Sequence, residues 1–267
     1  MSDEVRDYYD QNCINELRRL DDPYNRIEFF STLYIIKKYF PDNGVIFDIG
    51  SGPGRYSMEL LKSDYKVALM DISQNSITLA KSHIEENGLR ADKYICGDAR
   101  NLQYELENSY DGILLLGPMY HITNKRERIN LLKACKRILK PDGVIIISYL
   151  NTLGVLKSGV TDFYEEFRDL DNIYKYFYSN SYGKDNSFTE TYFSMPKEAI
   201  DEVNESGLSI LSYAGAESFL SGMSSKVTNH YLNNRDIYLN ILKVAAEKCE
   251  MEEFRENTEH LLIIAKK

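Results

Sequence analysis

Short apolar runs alternate with longer segments of helical period through the first 150 residues. "VIFDI" (45–49), "KVALMD" (66–71), "KYICGD" (93–98), "DGILLL" (111–116) and "VIIISYL" (144–150) are separated by stretches such as "SQNSITLAKSHIEENG" and "NKRERINLLKACKRILK". This alternation predicts an α/β fold, a mostly parallel sheet flanked by helices. Local punctuation agrees with it. Ser73 can cap the helix after Asp71, Gly88 can end it in the left-handed region, and Asn124 with Glu127 makes a capping-box start. "PDNG" (41–44) and "PDG" (141–143) break helices ahead of strands.

Outside this core the pattern changes. "RIEFFSTLYIIKKYF" (26–40) sets Ile27, Phe30, Tyr34 and Phe40 near helical spacing, as a helix packed on the sheet, while residues 1–23 read as a polar helical or mobile leader. From Asn151 to Phe193 the chain is dense in aromatics, among them Phe163, Phe167, Tyr176, Tyr182 and Phe188, and is expected to form an insertion with helical pieces. Regularity returns with a helix stopped near Gly207, a strand after it, and a last strand in "EHLLIIAKK". Residues 216–257 are too many for a hairpin and hold a helix around 226–249. The expected organisation is one domain: a helical cap (1–40), a ligand-binding core (41–150), a lid insertion (151–194), and completion of the sheet (195–267).

Charge and composition narrow the partners. A net charge of −9 repels phosphate backbones and anionic lipid heads, so neither a nucleic acid nor a membrane surface is expected. The acidic "MSDEVRDYYDQN" is unlike a signal peptide and no apolar run approaches the ~18 residues of a membrane helix, which places the protein in the cytoplasm. Four scattered cysteines form no C-x-x-C pair, and no His/Asp/Glu cluster has metal spacing, so no metal is expected.

The chemistry concentrates where strands end. "DIGSGPG" (48–54) brings a strand into a glycine turn where a ligand can touch main chain with no Cβ between them. A dinucleotide G-x-G-x-x-G would need glycine at position 55, which is Arg55; the third glycine is Gly54 instead. Asp71 ends the second strand about twenty residues later, where a carboxylate can accept both protons of a ribose diol.

This acid and G-x-G-x-G turn, with acids closing the next two strands, resembles class I S-adenosylmethionine-dependent methyltransferases from about Val45 to Leu150. The resemblance implies a Rossmann-like, seven-stranded sheet with an antiparallel last strand and S-adenosylmethionine as cofactor. It implies that the backbone of Gly50, Ser51, Gly52 and Gly54 lies against the methionine and ribose, and that Asp48 orients the loop or meets the amino group through water. It further implies that Asp71 takes the ribose hydroxyls, Ile72 touches the adenine, Asp98 pairs with the adenine amino group, the Ala99 N–H faces a ring nitrogen, and Leu116 lies at the rim.

At that rim "GPMYH" (117–121) lacks the polar-Pro-Pro-aromatic run of base-amine methylating members and resembles a bacterial subset acting on small molecules. In that subset a tyrosine pair similar to Tyr8-Tyr9 forms a flap over the cofactor. His121 is a candidate general base for a hydroxyl or ammonium acceptor, or it simply bonds backbone; a carboxylate acceptor would need no base. Tyr120 lines the pocket or packs beneath the next helix, and Arg55 binds the cofactor carboxylate or lies on the surface. The expected reaction is methyl transfer to a small molecule; the alternatives are a nicotinamide-dependent oxidoreductase or epimerase, and a cofactor-binding protein without catalysis.

Overall fold

A computed structural model of the chain describes residues 2–178, 181–183 and 187–267. Two helices, α1 (Asp3–Arg19) and α2 (Asn25–Tyr39), precede the sheet. Then β1 (Val45–Ile49), α3 (Arg55–Lys62), β2 (Lys66–Asp71), α4 (Gln74–Glu86), β3 (Lys93–Cys96), β4 (Tyr110–Leu115), α5 (Lys125–Ile138) and β5 (Leu139–Asn151) follow the alternation read from the sequence. The insertion holds α6 (Thr152–Asp162), α7 (Leu170–Tyr178), β6 (Ser181–Tyr182) and β7 (Thr191–Ser194). Closing the chain are α8 (Pro196–Glu205), β8 (Ser209–Gly215), α9 (Ser224–Asn233), α10 (Arg235–Lys248), α11 (Glu252–Arg255) and β9 (His260–Lys266).

Strands β3, β2, β1, β4 and β5 lie side by side in parallel, and β9 lies antiparallel between β5 and β8, so β8 again runs with the others; this makes the expected seven strands with the last one reversed. Consecutive residues face opposite layers. Phe47, Ile113, Ile145 and Ile147 pack with Leu132, Cys135, Ala199 and Val203 of α5 and α8. Ile46, Leu114 and Ile146 pack with Ile35 of α2, Leu60 of α3 and Ala80 of α4. Both faces are covered, which is why these strands read as unbroken apolar runs.

Several details depart from expectation for identifiable reasons. Pro141–Gly143 lie inside β5, at a register irregularity opposite Tyr110, because β5 begins pairing already at Leu139. Asn124 caps α5 by accepting from the Glu127 N–H, but the Glu127 carboxylate turns to Arg100 instead of closing the capping box. Helix α2 is buried on two sides: Phe29, Ile35, Ile36 and Phe40 pack on the sheet side, with Phe30 and Tyr34 partly buried against them, while Ile27 packs with Leu220, Val227, Tyr238 and Leu242, so of the four residues read as one face only Ile27 turns wholly to the other side. The helix expected over 226–249 is two helices, interrupted at Asn234. The insertion also contributes strands: β7 joins the end of β5 at Leu150 and Asn151, beyond the point where β4 stops.

The leader is a docked helix rather than a mobile tail. Among the residues of α1 itself only Val5 is buried, so polar contacts hold it. The Asp10 carboxylate accepts from the Ser73 hydroxyl (2.6 Å) and the Asn75 N–H (3.1 Å) at the start of α4. Arg55 donates to the Leu17 carbonyl and to both oxygens of Asp21. None of the described helices is long and apolar enough to cross a membrane.

One buried ion pair fixes the segment after β4. Arg128, 1% exposed, donates to both oxygens of Glu202 and to the carbonyls of Ile122 (2.7 Å) and Thr123 (2.9 Å), with its guanidinium 3.6 Å from the centre of the Tyr192 ring. Arg128→Met is expected to cost about 3–5 kcal/mol in urea unfolding because it strands a buried carboxylate, and adding Glu202→Leu should recover much of the loss. A double variant no more stable than the single one would show that the carbonyl contacts, not the ion pair, carry the effect.

Candidate functional site

The turn after β1 is pinned to the end of β2. The N–H groups of Gly50 and Ser51 both donate to the Met70 carbonyl (2.7 and 3.0 Å), that of Gly52 to Asp71 Oδ2 (2.8 Å), and that of Gly54 to the Ser51 carbonyl (3.0 Å). Residue 53 is proline and has none. Every amide of the turn is therefore committed, and the turn offers bare Cα surface and carbonyls rather than donors. Three glycines allow this for different reasons. A Cβ on Gly50 would lie 2.4 Å from Pro118, a Cβ on Gly54 would crowd Ala80 and Leu69, and a Cβ on Gly52 would meet nothing within 4 Å and would project into open space.

That space is part of a cleft at the strand ends, where open α/β sheets bind their ligands. Asp48, Gly50, Ser51, Gly52, Asp71, Ile72, Ala99 and Leu116 border it, together with Tyr120 and His121. Gly54 does not; it serves the packing of α3 and α4. Asp98 does not either: Gly97 and Ala99 reach the cleft on either side of it, while its carboxylate is clamped by Arg100. Burial opposes ionisation of Asp98, but the guanidinium outweighs it and holds the carboxyl at about 2.

The two strand-end acids that border the cleft have no cation beside them. Burial pushes Asp71 up to about 6 even though its oxygens accept the Gly52 and Ser73 N–H groups, and pushes Asp48 up to about 7 against its bond from the Ser57 hydroxyl. Asp71 has spent one bond per oxygen, so lone pairs remain for a ligand.

Helices α1 and α2 wall the opposite side with Val5, Tyr9, Glu16, Arg19, Leu20 and Glu28. The His121 ring is 3% exposed and both nitrogens are used: Nδ1 lies 2.9 Å from the Glu190 carbonyl and Nε2 2.7 Å from the Tyr9 hydroxyl. A carbonyl only accepts, so Nδ1 carries the proton and Nε2 receives the Tyr9 O–H. Burial lowers the imidazole to about 4, so His121 is neutral and tethers α1 rather than standing ready near neutral pH. Burial likewise raises the Tyr9 and Tyr120 phenols. Among the described residues none from 151–194 lines the cleft: the insertion's Phe163, Phe167, Tyr176, Tyr182 and Phe193 pack on one another and on Leu150, and Phe188 alone reaches out, stacking near Tyr8 and His121. The cover is α1, with Tyr9 the member of the pair that meets the cleft.

Comparison with known proteins bears on this constellation. Residues 46–143 match the family described as a methyltransferase domain. The chain is 32% identical over 106 residues to the N-terminal Xaa-Pro-Lys N-methyltransferase 1-A of Xenopus laevis, spanning 39% of this chain and 46% of that one. It is 25% identical over 118 residues to the ubiquinone biosynthesis O-methyltransferase of Xanthomonas axonopodis pv. citri (strain 306), 44% and 48% of the two chains. The chain thus spans about half the length of these curated relatives. A solved S-adenosylmethionine-dependent methyltransferase from Methanosarcina mazei superposes with a TM-score of 0.59 at 18% identity over 87% of this chain and 96% of that one, which establishes the shared Rossmann-like fold.

From the α1–α2 wall of the cleft a charge network runs inward that the sequence did not disclose. Arg19 pairs with both oxygens of Glu28 (2.7 and 3.2 Å) and lies 3.4 Å from Glu16. Glu28 lies 3.9 Å from His260 Nδ1, which bonds Glu217 at 2.7 Å. Burial disfavours charge on Glu28, yet Arg19 and His260 hold it at about 2; burial also opposes the His260 cation, yet Glu28 and Glu217 lift it to about 9. Among the described residues no group of three or more His, Cys, Asp or Glu is placed to hold a metal ion.

Because its pKa is raised on folding, His260 stabilises the protein fully below about pH 6.5 and loses that contribution as pH rises through about 9. The stability gap between wild type and His260→Gln, measured by urea unfolding, should therefore narrow between about pH 6 and about pH 10; a constant gap would refute the ionised pair. In the turn, Gly52→Ala should cost only about 1 kcal/mol of left-handed strain, and Gly50→Ala, which collides with Pro118, far more in the same measurement.

Proposed function

We propose that the protein is an S-adenosylmethionine-dependent methyltransferase that acts on a small-molecule acceptor. The observation that carries the cofactor is the turn with every N–H committed, set beside Asp71. A pyrophosphate needs amide donors at such a turn, and none is left, which disfavours the nicotinamide dinucleotide alternative. The sulfonium and α-amino group of S-adenosylmethionine ask instead for carbonyls and carboxylates, which the turn, Asp48 and Asp71 provide, and its carboxylate has the Arg19 guanidinium at the wall of the same cleft. The open space above Gly52 admits the ligand main chain to side, Asp71 retains lone pairs for a ribose diol, and Ile72, Ala99 and Leu116 give apolar walls for a purine. Asp98 would serve the nucleoside end only through its backbone neighbours, with Arg100 holding its carboxylate away.

When bound, S-adenosylmethionine supplies an activated methyl carbon for in-line displacement. The protein's part is alignment and exclusion of water. Tyr120 borders the acceptor side, and His121 acts by fixing Tyr9, and through it α1, over the cleft. A helix clasped across the cleft by Tyr9, Asp10 and Arg55 favours a small acceptor over a polypeptide. The relatives' names include both N- and O-methyltransferases, so the acceptor atom has to come from the site itself.

Calorimetry should show S-adenosylhomocysteine binding and no response to NADH, and Asp71→Ala should weaken binding by about tenfold or more through loss of charge-assisted bonds. NADH saturation, or an affinity indifferent to Asp71, would overturn the assignment. Radiolabelled methyl groups offered with a cell extract should appear in the low-mass fraction; label confined to protein would replace the small acceptor with a polypeptide.

A further inference from the structure

We infer that His260, a residue of β9 outside the cleft, is a positioning residue for the cofactor: through Glu28 it sets how firmly the Arg19 guanidinium holds the cofactor's carboxylate. This rests on the cofactor reading above and deepens it by naming the group that governs that contact.

Arg19 is the cation that the α1–α2 wall offers to a carboxylate. Its five N–H groups outnumber its partners. Nη1 and Nη2 each give one to Glu28 (2.7 and 3.2 Å) and Nε lies 3.4 Å from Glu16, which leaves one N–H on each terminal nitrogen. The Tyr120 phenol, at the strand-end border of the cleft, is close enough for its charge and that of Arg19 to bias one another, which places the guanidinium toward the cleft. Arg55, the other guanidinium at the border, is held by both oxygens of Asp21 and by the Leu17 carbonyl.

By itself this wall suits an anion poorly, because Glu16 and Glu28 set two carboxylates against one guanidinium. His260 supplies the further positive charge. Its Nδ1 lies 2.7 Å from Glu217 and 3.9 Å from Glu28, and Glu217 also accepts the His260 main-chain N–H (3.1 Å), which fixes the ring between the two acids. With the imidazole charged, Glu28 is shared between two cations and Arg19 can attract a second anion. With it neutral, Arg19 alone faces Glu28 and Glu16, and an incoming carboxylate meets a wall more negative by one charge. Two other charged groups bear on the ring. Arg19 opposes its cation, and Glu259, next in the chain and bonded by the Tyr24 hydroxyl, adds to burial in raising Glu217 although His260 lowers it.

This arrangement has a pH signature. Burial disfavours the His260 cation, but Glu28 and Glu217 outweigh it and the ring gives up its proton at about 9. Affinity for a carboxylate at Arg19 should therefore be full below that point and fall as pH rises through it. The strand-end acids at the cleft titrate lower, Asp71 at about 6 and Asp48 at about 7, while burial raises the Tyr9, Tyr56 and Tyr120 phenols above their ordinary range. Among the described residues no lysine or cysteine borders the cleft.

The test is calorimetry on the full chain with two nucleosides that lack the α-amino group, whose own titration would mask the effect. One, 5′-S-(3-carboxypropyl)-5′-thioadenosine, keeps the carboxylate; the other, 5′-methylthioadenosine, has neither group. Between about pH 8 and about pH 10 the first should weaken about threefold to tenfold and the second should hold, as expected for one charge lost nearby in a partly screened site. At about pH 8, His260→Gln should cost the carboxylate ligand a similar factor and abolish the pH step, while Glu217→Gln, which removes a support of the cation, should move the step to lower pH. Parallel weakening of both nucleosides in His260→Gln would mark a purely structural role and overturn the inference. So would a carboxylate ligand indifferent to pH and to His260→Gln, or a step that Glu217→Gln leaves in place. If S-adenosylhomocysteine and both nucleosides fail to bind, the cofactor reading fails; if S-adenosylhomocysteine binds and the step is missing, this inference alone fails.

Discussion

The grip of β2 on the turn after β1 is the constraint on which the site depends. The Met70 carbonyl and the Asp71 carboxylate take the amides of residues 50, 51 and 52, so the end of one strand dictates the backbone of the next connection. A glycine turn usually earns its place by presenting N–H groups to an anion. Here the same glycines serve close packing against Pro118, Ala80 and Leu69, and what faces the cleft is bare main chain and acid. The turn therefore presents acceptors rather than donors to the cleft.

The opposite wall is built by a different physical rule. Helix α1 buries almost no apolar surface and is held by hydrogen bonds and ion pairs to α3, α4, α2 and His121. Such contacts are individually modest, so the wall is the part of the site most open to displacement. The Arg128–Glu202 pair acts from the other side, fixing the carbonyls that follow His121 and hence the ring that receives Tyr9.

Most of the sheet was legible along the chain because each strand announces itself within a few residues, as with "VIFDI" and "VIIISYL", and each helix carries its own cap, as with Ser73 and Asn124. Gly50, Gly52 and Asp71 were read from strand ends and spacing, Asp48, Ile72, Ala99 and Leu116 from the family resemblance, and all of them border the cleft. Asp98 does not border the cleft and its carboxylate bonds Arg100, two residues away, and nothing in the spacing says whether a carboxylate turns to a ligand or to a neighbour. The aromatic insertion looked like a lid because tyrosines suit half-wet walls, but their first use is a small core of their own.

By itself the sequence determined the alternation of strands and helices, the place of the glycine turn and the acids at the strand ends, since these follow from periodicity and turn chemistry over short stretches. Tertiary structure alone decided which turn amides remain free, which tautomer His121 adopts, and which helix closes the cleft. Those outcomes depend on partners such as Tyr9 and His121, 112 residues apart, or Glu28 and His260 at opposite ends of the chain. Hydrogen bonds and charge pairing between distant residues leave no period in the sequence, because a single polar side chain carries no record of the partner it will meet.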